Sequence, residues 1–146
     1  MEADLFGKVF ILAQHLGRRA DAALAPAGLT SRQWLLLAVL VRGFPGTAPT
    51  LTDAAQAYGT SRQNVKQVAL QLAARGYVEL RADHDDRRAT RLVVTARVTE
   101  FDEPAAVAVQ TDFLADAFAS LDDAEVVTLH RLVDRCVASL TAQVEP

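Results

Sequence analysis

Between Thr60 and Arg91 the chain reads TSRQNVKQVALQLAARGYVELRADHDDRRATR, a stretch crowded with side-chain amides and guanidiniums. Gln63, Asn64, Lys66, Gln67 and Gln71 recur on one side of a helical period, and Arg62 stands at the border of that face near its start. An amide carries a donor and an acceptor on one group, so Gln and Asn can bond an adenine edge bidentately in a DNA major groove. Arg62 and Lys66 would add attraction to phosphate. Exposed polar residues usually do no more than face solvent. This face is nonetheless almost free of carboxylates, in a chain whose net charge is −3.

Those side chains need a helix to align them. Val65, Val68, Ala69 and Leu72 recur at i, i+3, i+4 and i+7 and supply its buried stripe. Thr60 and Gln63 have the spacing of a capping box, which predicts a helix beginning at Ser61. Gly76 follows the last periodic residue and fits a C-cap of positive φ. Leu70 and Ala74 also point outward, and are expected to pack under a neighbouring element. Tyr77 to Arg81 and Thr90 to Thr95 are short, alternating and β-prone, which predicts two strands flanking the polar segment Ala82 to Ala89.

The resulting hairpin carries Arg87, Arg88 and Arg91, and arginine at such a tip suits a narrow, A·T-rich minor groove. Asp86 is placed to orient the Arg88 guanidinium. Arg75 and Arg81 are further candidates for phosphate or minor-groove contact, with Arg32 and Thr52 weaker ones near helix starts. His84, Asp83 and Asp85 could be read as metal ligands, but their order is not that of an EF-hand loop, and a metal is not expected.

Several segments together carry a family resemblance. Leu29 to Leu37 (LTSRQWLLL), Leu51 to Ala55 (LTDAA), Ser61 to Val65 (SRQNV), Leu72 to Val78 (LAARGYV) and Asp86 to Ala89 (DRRA) are similar in order and spacing to the MarR family of bacterial winged helix-turn-helix transcriptional regulators. The Asp-Arg-Arg wing signature is the most specific part. The resemblance covers Leu29 to Thr95, and the flanks share only helical character. It implies a mainly α fold with a small β-hairpin wing (α+β), with N- and C-terminal dimerisation helices that interlace with a symmetry mate.

Residues 1–146 are expected to form one domain. Its DNA-binding region would be 30–95, and 1–29 with 96–146 its helical dimerisation region. Relatives often release DNA when a small, commonly aromatic, ligand enters between the dimer helices and the head. Phe10, His15, Arg18 and Trp34 are the candidates to line such a cleft, although the first and last could as well be core. The chain departs from the family where Ala96-Arg97-Val98 replaces a usual Lys-Gly pair, and where Pro104 would kink or restart a helix that relatives keep long.

The rest of the chain supplies further elements. Leu5, Val9, Leu12 and Leu16 form a stripe that Phe6, Phe10 and Ile11 widen, so the first helix needs a partner on two sides. Thr30 with Gln33 makes a second capping box, before the apolar run Leu35 to Val41 of a central buried helix. The loop Gly43 to Pro49 holds two glycines and two prolines. Thr50 with Asp53 caps a short helix that Gly59 closes, which completes a helix-turn-helix with the one after it. Beyond the hairpin, Ala105, Val109, Phe113 and Ala117 step by four, and Ser120 with Asp123 would cap a last helix. Its stripe includes Cys136.

A single cysteine excludes an intrachain disulfide framework. Cys136 is expected to be a buried small hydrophobe, with a redox-sensing thiol as the alternative. The apolar run Leu35 to Val41 has seven residues, against roughly twenty for a membrane span, and Met1-Glu2-Ala3-Asp4 is no signal peptide. A cytoplasmic protein is expected. Positive charge is concentrated in Tyr58 to Thr95, with seven basic and four acidic residues, whereas Ala96 to Pro146 has three and ten. That polarity would turn the reading head toward DNA and the tail away from it.

The function expected from all this is a homodimeric, sequence-specific DNA-binding transcriptional regulator, a repressor of a palindromic operator, with no cofactor. A winged-helix module that holds a protein instead of DNA is the rival. An enzyme is not expected, since the three histidines are isolated and neither HExxH, GxSxG nor a phosphate loop is present.

Overall fold

The computed structural model describes residues 1–143. In chain order it contains α1 (Glu2–Leu24), a 3-10 turn (Ala25–Ala27), α2 (Ser31–Gly43), α3 (Leu51–Tyr58), α4 (Arg62–Ala74), β1 (Val78–Ala82), β2 (Thr90–Val94), a 3-10 segment (Ala96–Asp102), α5 (Pro104–Ala117) and α6 (Asp123–Ala142). The sheet is one antiparallel hairpin, with Val78 opposite Val94 and Ala82 opposite Thr90.

The core lies where α2, α3, α4 and the hairpin meet. Leu36 and Leu40 from α2, Leu51 from α3, Val65 and Leu72 from α4, and Val78 and Leu92 from the strands are fully buried there. Burying each such leucine contributes roughly 1.5–3 kcal/mol. The stripe Val65, Val68, Ala69 and Leu72 is buried throughout, as its period predicts. Because it lies inward, Gln63, Lys66 and Gln67 are exposed on the other side of α4.

Two of the expected caps form at their expected residues. Thr30 and Gln33 make a reciprocal capping box at α2, and Thr50 accepts the Asp53 N–H at α3. The other two are shifted. The N-cap of α4 is Ser61, which accepts from Asn64, because Thr60 still belongs to the turn: its N–H goes to the Ala55 carbonyl and its hydroxyl accepts from Asn64 Nδ2 at 2.9 Å. At α6 the capping box is Asp122 with Glu125 instead of Ser120 with Asp123. Gly59 and Gly76 take φ of 82° and 80°, closing α3 and leading α4 into β1. Pro104 opens α5 at its first turn, where a missing N–H breaks no helical bond.

The terminal helices are covered far less. α1 packs on α2 and α5, yet Leu5, Phe6, Val9, Phe10, Ile11 and Leu12 are exposed on it. On α6, Val127, Leu132, Val133, Val137 and Leu140 are exposed as well. Cys136, expected to be buried, is exposed with them, because no other described element covers its stretch of α6. Leu70, at 51% exposure, and Ala74 are also uncovered, contrary to expectation, since nothing among the described residues packs outside that edge of α4. No single helix among the described residues is long and apolar enough to cross a membrane.

Candidate nucleic-acid interface

The exposed side of α4 and the hairpin frame one polar surface. α4 contains no Asp or Glu, and its first turn presents Arg62 and Gln63, with Lys66 and Gln67 one turn on. Asn64 is half-buried, with its Nδ2 already committed to Thr60. Between the start of α3, Arg62 and the hairpin loop lies a groove of about 250 Å³, lined among others by Thr50, Thr52, Arg62, Asp86 and Arg88. Two guanidiniums beside the N-terminal end of a helix make a place where an anionic oxygen is stabilised by charge and by helix dipole together.

The hairpin arginines divide into free and bound. Arg87 and Arg88 stand exposed at the loop. Asp86 does not hold the Arg88 guanidinium as expected; its carboxylate accepts the Arg88 backbone N–H at 2.9 Å and so folds the loop. Arg91 is tied on both sides, donating through Nε to Asp83 at 2.6 Å and through Nη1 to the Ala48 carbonyl at 2.7 Å. The Arg91 hydrogen bond holds the Asp83 carboxyl below the usual carboxylate range. Leu92 N–H also reaches the Pro49 carbonyl at 2.9 Å, so β2 is stitched to the loop before α3. Arg81 pairs with Glu79 on its own strand.

At the far end of α4, Arg97 donates to the Arg75 carbonyl, lies 4.6 Å above the Tyr77 ring and pairs with Glu100 at 3.1 Å. The Arg75 guanidinium itself fits against Gly28, where φ is 70° and a Cβ would collide with it. Tyr77 donates to Glu100 at 3.2 Å, and burial pushes its hydroxyl above the usual tyrosine value, with Glu100 adding to the rise. On the α1 side, Asp21 accepts the Ser31 N–H at 2.6 Å, which lowers its carboxyl from the ordinary value.

A cavity of about 160 Å³ lies between α1, α2 and α5, lined by Ala23, Leu24, Trp34, Arg42, Phe113 and Leu114 among others. Of the four residues expected at such a site only Trp34 lines it. Phe10 packs against Phe6 at the other end of α1, and His15 and Arg18 are exposed, since one α-helix cannot turn both its N-terminal half and its last turns into one small cavity. Arg42 was missed for want of any sequence signal: it sits at the end of an apolar helix like any solvated charge. Asp21 was missed for the same reason, because its partner lies on another element, and spacing gave Gln33 as a capping residue but not its bond to Gln71 on α4.

The sequence profile described as the MarR family matches residues 27–89. An uncharacterized protein of Mycobacterium tuberculosis (strain ATCC 25618 / H37Rv) is 33% identical over 144 residues, which cover 97% of this chain and 95% of that protein. Among solved structures, a MarR protein from Peptoclostridium difficile DA00132 is similar with a TM-score of 0.79 at 16% identity, over 98% of this chain and 91% of that one. A mutant MarR from E. coli, complexed with operator DNA, is similar with a TM-score of 0.77 at 19% identity, over 91% of this chain and 93% of that one.

Proposed function

The chain belongs to the MarR family, whose members are transcriptional regulators and not enzymes, and we propose that it is a homodimeric, sequence-specific repressor that reads a palindromic DNA site. The observation that carries this reading is the exposed face of α4, which bears amides and cations and no carboxylate, beside the cationic groove of the hairpin. Gln63, Asn64 and Gln67 face bases in the major groove, with Arg62 and Lys66 on phosphates and Arg87 and Arg88 at the wing. Arg81 and Arg91 shape the head, each paired with a carboxylate within the protein, and Arg75 lies exposed against Gly28.

Dimerisation is supported by the exposed apolar faces of α1 and α6, which lie outside residues 30–95 and face no partner among the described residues. Two copies related by a two-fold axis set recognition helices about 34 Å apart, one turn of duplex. A nuclear or membrane address plays no part in this reading; the protein acts in the cytoplasm on the chromosome.

The effector cleft is the cavity at Trp34. Arg42 is the one charged residue among its lining, so the ligand that fits is a small aromatic compound with an anionic group. Binding there would bear on α1, α2 and α5 together, and so on the spacing of the two heads.

The test is selection from random duplex DNA by the purified protein, then titration of the enriched sequence at several salt concentrations. An enriched palindrome whose affinity falls steeply with salt is expected. Salt-sensitive binding without enrichment would refute sequence-specific reading, and no binding at all would favour a protein partner.

A further inference from the structure

Gln33 is the only buried polar side chain among the described residues, at 6% exposure. Its amide is oriented by a group that can act in only one way. The Thr30 backbone N–H is a donor and reaches Gln33 Oε1 at 3.1 Å, so the amide oxygen faces the cap and Nε2 faces away. That nitrogen donates to Gln71 Oε1 at 3.0 Å, joining α2 to α4. With its oxygen directed at Gln33, Gln71 presents the N–H donors of its Nε2 on the surface. Amide polarity is ordinarily ambiguous, since a half-turn exchanges oxygen and nitrogen. Here it is set by a backbone group that cannot turn round.

We propose that Gln71 is a positioning residue that passes this polarity to Gln67, and that the pair Gln33 and Gln71 thereby sets which base Gln67 accepts. The proposal rests on the DNA-reading role of α4. Gln67 lies one turn before Gln71 on the same helix face, and both line one groove with Asn64. An N–H of Gln71 can reach Gln67 Oε1 across the i, i+4 spacing of one helix turn, and Gln67 Nε2 is then turned to the DNA. A donor edge matches the neighbouring acceptors N7 and O6 of guanine, whereas adenine needs an acceptor as well. The base at that position is guanine, against the adenine that amide composition alone suggests.

Three variants separate this relay from mere packing. Gln33→Glu keeps an oxygen for the Thr30 N–H, as in a Thr-x-x-Glu capping box, but meets Gln71 with a second oxygen where the wild type has a donor. Gln71 then turns its nitrogen inward, and the polarity along the helix reverses. Gln71→Glu produces the same outward acceptor at an exposed position, which covers the case in which the buried variant fails to fold. Gln71→Met removes the relay altogether.

The measurement is the base profile of each protein selected on random duplexes at one salt concentration, with circular dichroism as the check of folding. Wild type is expected to select guanine at one position per half-site. Gln33→Glu and Gln71→Glu shift that position toward adenine by about tenfold or more, the discrimination of one good bidentate pair, and Gln71→Met brings it near parity. Other positions keep their preference. An unchanged profile in folded Gln71→Glu and Gln71→Met, or a uniform loss of affinity with the same preference, overturns the relay. A wild-type protein that enriches no sequence is a different result, and overturns the DNA-reading proposal beneath it.

Discussion

At the scale of single residues, the arginines of the hairpin do two kinds of work. Arg88 is exposed at the loop and its guanidinium is free for DNA, so Arg88→Ala should weaken binding to all sequences alike. If Arg88 neutralises one phosphate, its removal should make the salt slope shallower by about 0.9, read from titrations at several salt concentrations. Arg91 is instead the clamp between Asp83 and the Ala48 carbonyl. The clamp has a pH signature, because the folded state holds the Asp83 carboxyl below its ordinary value. Its stabilisation is complete above the ordinary aspartate pKa of about 3.9 and is lost as pH falls through the lower folded value. Melting curves of wild type and Asp83→Asn should therefore differ at neutral pH and converge in acid. Convergence at neutral pH would mean that the clamp does not hold the hairpin. Residue types and spacing made this loop legible as a charged tip, but not which charge meets which. Arg91 is held by an oxygen on the loop before α3, far away in sequence, and Asp86 spends its carboxylate on a backbone N–H.

Elements were more legible than side-chain pairings, because a helix declares itself by period and cap. The stripe through Val65 and Leu72 is buried as its spacing requires, and Thr30 and Thr50 cap where they should. Where two capping candidates lie close together, as at Thr60 and Ser61, spacing alone cannot choose. The turn needs Thr60 for its own hydrogen bonds, and the cap moves one residue on. Leu72→Ala should cost about 2–5 kcal/mol of stability, since Leu72 is fully enclosed between α4 and its neighbours. Gly76→Ala should cost roughly 1–2 kcal/mol for a different reason. At φ 80° an alanine is strained although its Cβ would meet the Arg97 side chain only at ordinary van der Waals distance. Both are read from denaturant unfolding, and only the second should leave the core volume unchanged.

For the whole molecule, sequence showed that the first helix is apolar on two sides and needs a second partner. It could not show that Cys136 and Leu70 stay uncovered, because whether a residue is buried depends on which elements arrive beside it. In the proposed dimer, Leu132→Asp on α6 should place a charge against an apolar partner face. Sedimentation should then find monomers, and the variant should lose palindrome binding while keeping the fold of its core. A dimer that persists in the variant would move the interface elsewhere.

The bare apolar flanks of α1 and α6 also bear on what a stability measurement means. A chain that completes its burial only by pairing has no melting temperature of its own. By mass action its transition should climb as the solution is made more concentrated and fall on dilution. Occupancy of the DNA would then track the number of copies in the cell more steeply than in proportion, since a copy without a mate is both a poor reader and a fragile fold.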